Sequence, residues 1–240
     1  MKLISNSRHN NEIYIYFSKR ENCFIKSTYN IISLNSLKRE FYGYRWYSER
    51  IDEYGDSKNK LIINSDENYG KLYLLKIDGV PGNPYVGLSK NSEKIILAIN
   101  EYIKVWPSQH SELVNLHGDF SVGNIIYNPA KAYIIDWEHF HYNIAPWGID
   151  LLNLVYEAVF FSMDKNTFLN NEDKKTFIHF YKIILNHFSA LDKTNCNIDF
   201  LLTFLEKNKK LWGRSFSKLP VLKFSKRQLN YIKSIEANLR

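Results

Sequence analysis

A dense cluster of glycine and proline at residues 78–84 places the strongest constraint on the fold of this chain. Its sequence, DGVPGNP, holds two glycines and two prolines. Proline lacks a backbone N–H and fixes its own φ angle, so neither a helix interior nor a central strand could contain this run. We therefore expect a hinge at residues 79–84, after a first part that ends at residue 78 and before a second that begins at residue 85.

The part before the cluster has the pattern of short strands around one helix. Runs rich in β-branched and aromatic residues predict strands, and the polar segments between them predict the turns of two hairpins. The predicted strands span residues 2–4, 12–17, 23–26, 61–64 and 71–77. Apolar and aromatic residues near helical spacing predict a helix at residues 36–50, with Ser33 or Asn35 as a possible cap.

The part after the cluster is mostly helical in pattern, except for residues 113–137. The predicted helices span residues 91–105, 149–162, 172–189, 198–207 and 226–239. The sequence therefore predicts an α+β fold. A small antiparallel sheet with one helix forms an N-terminal lobe at residues 1–78, and a mainly helical C-terminal lobe follows at residues 85–240.

Composition places the chain among globular proteins. It has 240 residues, of which 45% are hydrophobic, and such a length supports one large core or two small lobes. The first residues lack the apolar run of a secretory signal. The most apolar later segment, at residues 149–161, contains Asp150, Asn153 and Glu157, so we expect no transmembrane helix. Cys23 and Cys196 are expected to be reduced and structural, in a cytoplasmic protein.

The basic charge has two interpretations. The formal net charge is +7, with a mild concentration of lysine and arginine at residues 207–233. An anionic partner would suit this charge, whether nucleotide phosphates, an acidic second substrate or a membrane surface contacted peripherally. Excess surface lysine that keeps the chain soluble would account for it equally well. No nucleic-acid partner is expected.

Residues 116–138 contain the pattern that points most directly to chemistry. Residues 116–127 read LHGDFSVGNIIY, and after the turn NPAK residues 132–138 read AYIIDWE. Two short apolar strands across an Asn-Pro turn predict a hairpin. Asp119 and Asn124 precede its first strand and Asp136 follows its second, so we expect the three side chains to converge on one rim.

These residue types suit phosphoryl transfer. The attacking hydroxyl must lose its proton to a carboxylate, and Mg²⁺ held by hard oxygen ligands must neutralise the phosphates. Asp119 suits the role of base. Asn124 and Asp136 suit the role of metal ligands, because amide and carboxylate oxygens are ligands that magnesium prefers.

HGDFSVGN followed by IIDWE resembles the paired signature of the aminoglycoside phosphotransferase and choline kinase superfamily, whose fold is protein-kinase-like. The resemblance implies an enzyme that transfers the γ-phosphoryl group of ATP or GTP to an alcohol. It assigns catalysis to Asp119 as base and the binding of one or two Mg²⁺ ions to Asn124 and Asp136.

The resemblance also implies nucleotide-binding residues in the first part of the chain. It expects a strand lysine that contacts the α- and β-phosphates and a glutamate on the next helix that holds this lysine, and Lys26 and Glu40 occur in that order. The loop over the phosphates would lie at residues 5–11, where Ser5 and Ser7 could donate hydrogen bonds. This loop has no glycine, unlike that of protein kinases, and it could equally be a surface turn.

Further roles follow from the same resemblance. The adenine ring would meet the backbone at residues 76–79, which include Lys76 and Ile77. Asp150 would brace the catalytic loop from the start of a helix, or serve as an ordinary helix-start carboxylate. His117 would be a second brace. Glu138 would touch the second substrate or assist the metal.

The acceptor is less constrained. The segment between hinge and catalytic loop, residues 85–116, is short, which suggests a small or open acceptor site. Aminoglycosides are polycations and would need an acidic site, so the basic chain favours a neutral or anionic acceptor such as a sugar or a cell-surface saccharide. Choline or ethanolamine is an alternative, because aromatic residues could cage a quaternary ammonium. The candidates, which could instead be core residues, are Trp137, Tyr142, Trp147 and Trp212.

Two other functions make different demands on the same motif residues. A nucleotide-binding pseudokinase scaffold would keep the fold without the chemistry, but the chain retains Asp119, Asn124 and Asp136. Protein kinase activity is disfavoured because the chain has His-Gly-Asp at residues 117–119 and Asp-Trp-Glu at residues 136–138, where protein kinases have His-Arg-Asp and Asp-Phe-Gly.

Overall fold

The chain folds as a mixture of helices and short strands with a small antiparallel sheet. The structure, a computed structural model, describes residues 2–6, 13–51, 59–64, 69–106, 113–129, 131–163, 168–187, 196–212 and 223–239. Two compact units are present. The first comprises Met1–Asp78 and Ile135–His141, and the second comprises Gly79–Ile134 and Tyr142–Arg240.

The first unit is a five-stranded antiparallel sheet with one helix. The strands are β1 (Lys2–Asn6), β2 (Tyr14–Ser18), β3 (Cys23–Thr28), β4 (Lys60–Asn64) and β5 (Tyr69–Leu75). Their order in the sheet is β1-β2-β3-β5-β4, so β3 lies at the centre. The predicted hairpins are confirmed, since β2 pairs with β3 and β4 pairs with β5, both antiparallel.

The helix of this unit, α1 (Ile31–Ser48), begins before the predicted start. Ser33 and Asn35 were wrong as caps. The side chain of Asn30 accepts hydrogen bonds from the backbone N–H groups of Ile32 at 2.8 Å and Ser33 at 3.4 Å, which satisfies donors that the first turn leaves without partners.

The strand β1 also differs from prediction, because it continues through Ser5 and Asn6. Ser5 pairs with Ile15 of β2, after a register shift between Leu3 and Ser5. Ser5 therefore lies on a strand and not in the predicted phosphate loop, because cross-strand pairing overrides the weak strand propensity of a polar pair. Ser7 lies outside the described residues.

The second unit holds the remaining helices and strands. Its strands are β6 (Val80–Pro81), β7 (Val114–Leu116), β8 (Ile125–Tyr127), β9 (Ala132–Ile134) and β10 (His141–Ala145), of which β10 starts at the last residue of the first unit. Its helices are α2 (Ser92–Val105), α3 (Ile149–Ser162), α4 (Asn171–His187), α5 (Ile198–Lys207) and α6 (Lys226–Ala237). All five of these helices were predicted: α3 and α5 match the predicted bounds, and the ends of the other three differ by at most two residues.

Two small sheets contain the strands on either side of the motif residues in this unit. β8 pairs with β9, with Ile125 opposite Ile134, so the predicted hairpin is confirmed. β6 pairs with β8 from the edge of the same sheet, in the order β6-β8-β9, and β10 pairs with β7 in the other. An edge position tolerates Pro81, which has no N–H to donate.

The helix α3 is the most completely buried element of this unit. Eleven of its residues, from Ile149 to Val159, are buried, and it packs against α2, α4 and α5. No helix among the described residues is both long and apolar enough to cross a membrane. Cys23 and Cys196 are both buried, and neither forms a disulfide bond among the described residues.

Candidate functional site

In the first unit, three charged residues that are distant in sequence meet. Lys26 on β3 donates from Nζ to Glu40 Oε1 on α1 at 2.8 Å and to Asp136 Oδ1 at 2.7 Å. Only 14% of the Lys26 side chain and 1% of the Glu40 side chain are exposed, against 36% for Asp136. One cation is thus shared by two carboxylates.

Burial and charge act in opposite directions on this group. Burial alone would lower the pKa of Lys26, but attraction to Asp136 and Glu40 holds it well above its usual value. Burial raises the pKa of Glu40, and the negative charge of Asp136 adds to this effect while Lys26 opposes it. Lys26 is therefore a firmly protonated ammonium at neutral pH.

Asp136 has an unusual backbone that α1 supports. Its φ is +61°, in the left-handed region that few residues other than glycine and Asn or Asp adopt. Its N–H donates to the hydroxyl of Tyr44 at 3.1 Å. Gly43 lets α1 approach closely here, since a Cβ at that position would lie 2.5 Å from Trp137 Cβ.

Trp137 anchors the returning segment in an aromatic cluster. It is fully buried, and its ring lies 5.2 Å from that of Tyr47 and 5.8 Å from that of Trp46, measured between centroids. Such tilted and edge-on pairs add to the free energy gained by burial. Trp137 therefore holds its neighbour Asp136 at Lys26.

The next residues of this segment face Arg39. The Nε of Arg39 donates to the carbonyl oxygen of Glu138 at 2.8 Å. The Glu138 carboxylate lies 3.4 Å from His139 Nε2. Burial lowers the pKa of His139 to about 4, so its imidazole is neutral at pH 7. Its Nδ1 is buried without a hydrogen-bond partner in the described structure.

In the second unit, the loop that leads to β8 holds the predicted base. Asp119 is half-buried, and its backbone N–H donates to His117 Nδ1 at 3.2 Å. Asn124 donates from Nδ2 to the carbonyl oxygen of Asp119 at 2.8 Å and to its Oδ2 at 2.9 Å. Gly118, with φ of +86°, provides the left-handed turn between His117 and Asp119.

The helix α3 binds the backbone of this loop through Asp150 in its first turn. Both oxygens of Asp150 accept backbone hydrogen bonds, Oδ2 from His117 at 2.8 Å and Oδ1 from Gly118 at 3.0 Å. Burial raises the pKa of Asp150 to about 7, although the two amides oppose the shift. Trp212 Nε1 donates to the carbonyl oxygen of Gly118 at 2.5 Å.

The other predicted site residues lie in varied surroundings. Lys76 and Ile77 follow the end of β5, and Lys76 Nζ pairs with exposed Asp78 at 2.5 Å. Of the four aromatics suggested for a choline cage, Trp137, Trp147 and Trp212 are buried and only Tyr142 is exposed. Trp147 donates from Nε1 to the carbonyl oxygen of Trp106 at 2.6 Å, as a core residue would.

Several contributing residues were not predicted as site residues: Arg39, Tyr44, His139, Asn153 and Glu157. A signal for two of them existed in the sequence. Asn153 and Glu157 lie three and seven positions after Asp150 in an otherwise apolar helix, and this spacing places all three on one helix face. The others carry no local pattern, because their partners are distant in sequence.

The donor chemistry of Asn124 and Asp136 fits magnesium, which prefers hard oxygen ligands. The amide nitrogen of Asn124 is used by Asp119, so its amide oxygen is the atom suited to a cation. Over the residues that the structure describes, no group of three or more His, Cys, Asp and Glu side chains is arranged to hold a metal ion.

Comparisons with known proteins do not supply an assignment. No protein-family model matches the chain, and a search of the curated proteins finds no significant match.

Proposed function

We propose that the chain is a Mg²⁺-dependent phosphotransferase that moves the γ-phosphoryl group of ATP or GTP to a hydroxyl of a small molecule or glycan. The observation that carries this proposal is the pairing of Lys26 with Glu40 and Asp136 at 2.8 and 2.7 Å. Each of the three was selected from sequence for a phosphoryl-transfer role, and a strand lysine paired with a helix glutamate is a recurring part of kinase sites.

Lys26 is the proposed contact to the nucleotide α- and β-phosphates. Its ammonium is held in one position by Glu40, which is 1% exposed and lies in the third turn of α1. A cation fixed by a buried partner loses less conformational freedom when an anion binds than a solvated lysine would. Glu40 therefore acts on the nucleotide through Lys26.

Asp119 is the proposed base. Its carboxylate accepts from Asn124 at 2.9 Å and its backbone N–H is held by His117 at 3.2 Å, so both ends of the residue are oriented. A carboxylate in fixed orientation can take the proton of an attacking hydroxyl. Asp150 supports the same loop through the amides of His117 and Gly118.

Asn124 and Asp136 are the proposed magnesium ligands, on the basis of the motif and of their donor atoms. Bound Mg²⁺ would neutralise charge on the β- and γ-phosphates.

For the fold, we propose a protein-kinase-like arrangement in which residues 1–78 bind nucleotide, residues 79–84 are the hinge and residues 85–240 carry the catalytic loop and the acceptor site. The backbone groups of Lys76 and Ile77 are proposed to contact the purine ring of the nucleotide.

A sugar or a cell-surface saccharide is the proposed acceptor. The net charge of +7 disfavours a polycationic aminoglycoside. Choline is disfavoured because the indoles of Trp137, Trp147 and Trp212 are packed in the cores of their units, whereas a quaternary ammonium needs accessible ring faces.

The direct test compares nucleotide consumption by the natural protein and by Asp119→Asn across a panel of hydroxyl acceptors with ATP or GTP and MgCl₂. Loss of a general base lowers kcat by about 10²- to 10⁴-fold. Asp199→Asn is the matched control, because Asp199 is a surface carboxylate paired only with Lys233 in the described structure, and its kcat should stay within about twofold. Equal turnover by the natural protein and Asp119→Asn would remove Asp119 from its role.

A thermal-shift measurement addresses the non-catalytic alternative. A kinase of this type should gain stability from nucleotide more strongly with Mg²⁺ than without it, because the metal joins nucleotide to protein. A magnesium-independent shift without turnover of any acceptor would support a nucleotide-binding scaffold in place of an enzyme.

A further inference from the structure

One face of α3 carries a row of buried polar side chains inside an otherwise apolar helix. Asp150, Asn153 and Glu157 are only 2%, 5% and 7% exposed. Their spacing of three and four residues aligns them along the helix. Burying three polar groups in a core lowers the stability of the fold unless each of them forms hydrogen bonds there.

The partners are successive backbone groups of the loop that carries Asp119. Asp150 accepts from the N–H groups of His117 and Gly118. Asn153 donates from Nδ2 to the carbonyl oxygen of Phe120 at 3.2 Å. Glu157 Oε2 accepts from the N–H of Val122 at 3.2 Å. The order along the helix thus matches the order along the loop.

The loop needs these partners because its backbone forms no strand ladder. His117, Gly118, Phe120, Ser121 and Val122 are buried, whereas Asp119 is half-buried. Buried amides and carbonyls must find hydrogen bonds somewhere. The bonds from α3 fall on both sides of Asp119, so they restrain the backbone that directs its carboxylate.

We propose that Asn153 and Glu157 are positioning residues for Asp119, which complete with Asp150 a ladder of hydrogen bonds from α3 to residues 117–122. Their effect on turnover rests on the proposed function, but the ladder itself does not. None of the three acts on a substrate directly in this proposal. They act through the backbone that carries the base.

The charge state of Glu157 agrees with this role. Burial raises its pKa to about 8, with repulsion from Asp119 as the next cause, and the bonds to the Val122 amide and the Ser121 side chain oppose the shift. The protonated acid still offers an acceptor oxygen to Val122 and adds no second negative charge near Asp119.

The first test measures the loop without any substrate. Amide hydrogen exchange of residues 117–124 is followed in the free protein for Glu157→Met, Glu157→Gln and Asn153→Ala. Met occupies a similar volume without a strong acceptor, so exchange in this segment should rise about tenfold, while Gln keeps an acceptor and should stay within about threefold. Tyr156→Phe is the control, since the Tyr156 hydroxyl bonds to Glu236 and not to the loop; its loop exchange should not change.

The second test connects the loop to turnover. In the acceptor panel with ATP or GTP and MgCl₂, Glu157→Met should lower kcat about 10- to 100-fold with nucleotide KM within about threefold, and Glu157→Gln should recover most of it.

Unchanged loop exchange in Glu157→Met and Asn153→Ala would overturn the ladder, and faster exchange with unchanged kcat would overturn its role for the base. If Glu157→Met does not fold, Asn153→Ala decides both tests. Absence of turnover by the natural protein would instead count against the proposed function and leave the exchange result standing.

Discussion

Individual residues in this chain take their properties from burial more than from residue type. Lysine on a strand is ordinarily a solvated residue, yet Lys26 is largely buried between Glu40 and Asp136. Lys71 on the neighbouring strand shows the contrast, because its Nζ lies 5.5 Å above the Tyr69 ring in a more open setting. The same residue type therefore serves a buried ion pair in one place and a surface contact in another.

Glu157 should make the stability of the protein fall as pH rises. Its pKa increases from 4.5 to about 8 on folding, so between these values the folded state binds a proton that the unfolded chain has released. The free energy of unfolding then decreases with pH across this window. Relative to Glu157→Gln, the natural protein should lose on the order of 4 kcal/mol between pH 5 and pH 8.5.

Urea unfolding of both proteins at pH 5, 6.5 and 8.5 would measure this difference. Groups such as Asp150 titrate in both proteins and cancel in the comparison. Parallel stability curves for the natural protein and the Gln variant would show that Glu157 does not change its protonation on folding.

Among the secondary-structure elements, α1 shows where local patterns succeed and where they stop. The helix was predicted from apolar spacing at residues 36–50, and it spans Ile31–Ser48. The start was misplaced because Ser33 and Asn35 are residue types that locally favour a helix cap. The cap at Asn30 and the packing of Leu34 against Gly70 on the sheet override that local preference.

The cap gives a prediction with an internal control. Asn30→Ala should lower the free energy of unfolding by about 1 kcal/mol, because two N–H groups of the first turn lose their acceptor. Asn35, exposed within the same helix, should behave in the opposite way, since Asn35→Ala should raise stability by up to about 0.5 kcal/mol through helix propensity. Chemical denaturation of both variants would test this, and equal effects would contradict the cap.

For the molecule as a whole, the chain order and the structural units do not coincide. Ile135–His141 belongs to the same unit as Met1–Asp78, although residues 79–134 separate them. Trp137 of that segment is fully buried, and its ring contacts those of Trp46 and Tyr47 on α1. The first unit thus depends on residues encoded after the second unit has begun.

Trp137→Ala should therefore destabilise the protein by about 3–5 kcal/mol, the usual cost of removing a large aromatic side chain from a core. Under the proposed function it should also weaken nucleotide binding, because Asp136 would lose its anchor beside Lys26. Trp137→Phe should cost less than half as much. Urea denaturation and nucleotide titration followed by thermal shift would measure both effects, and a loss below about 1 kcal/mol for Trp137→Ala would contradict the anchoring role.

Local patterns were sufficient for the elements and for part of the candidate site. Hydrophobic periodicity and turn residues located the two N-terminal hairpins, the β8-β9 hairpin and the positions of all six described helices, because these depend on neighbours a few residues apart. The roles of Asp119, Asn124 and Asp136 remain predictions from sequence. The order of Lys26 and Glu40 was noticed through a resemblance, and their contact at 2.8 Å is a finding of the structure.

Tertiary contacts decided what no short pattern encodes. The Tyr44 hydroxyl at the Asp136 amide, the Arg39 bond to Glu138 and the pairing of β7 with β10 join residues far apart in the chain. Asn153 and Glu157 were visible in the sequence only as polar interruptions of an apolar helix. Their partners are backbone groups of the loop at residues 117–122, which the packing of α3 brings within hydrogen-bond distance. A hydrogen bond depends on distance in space, whereas the sequence specifies only distance along the chain.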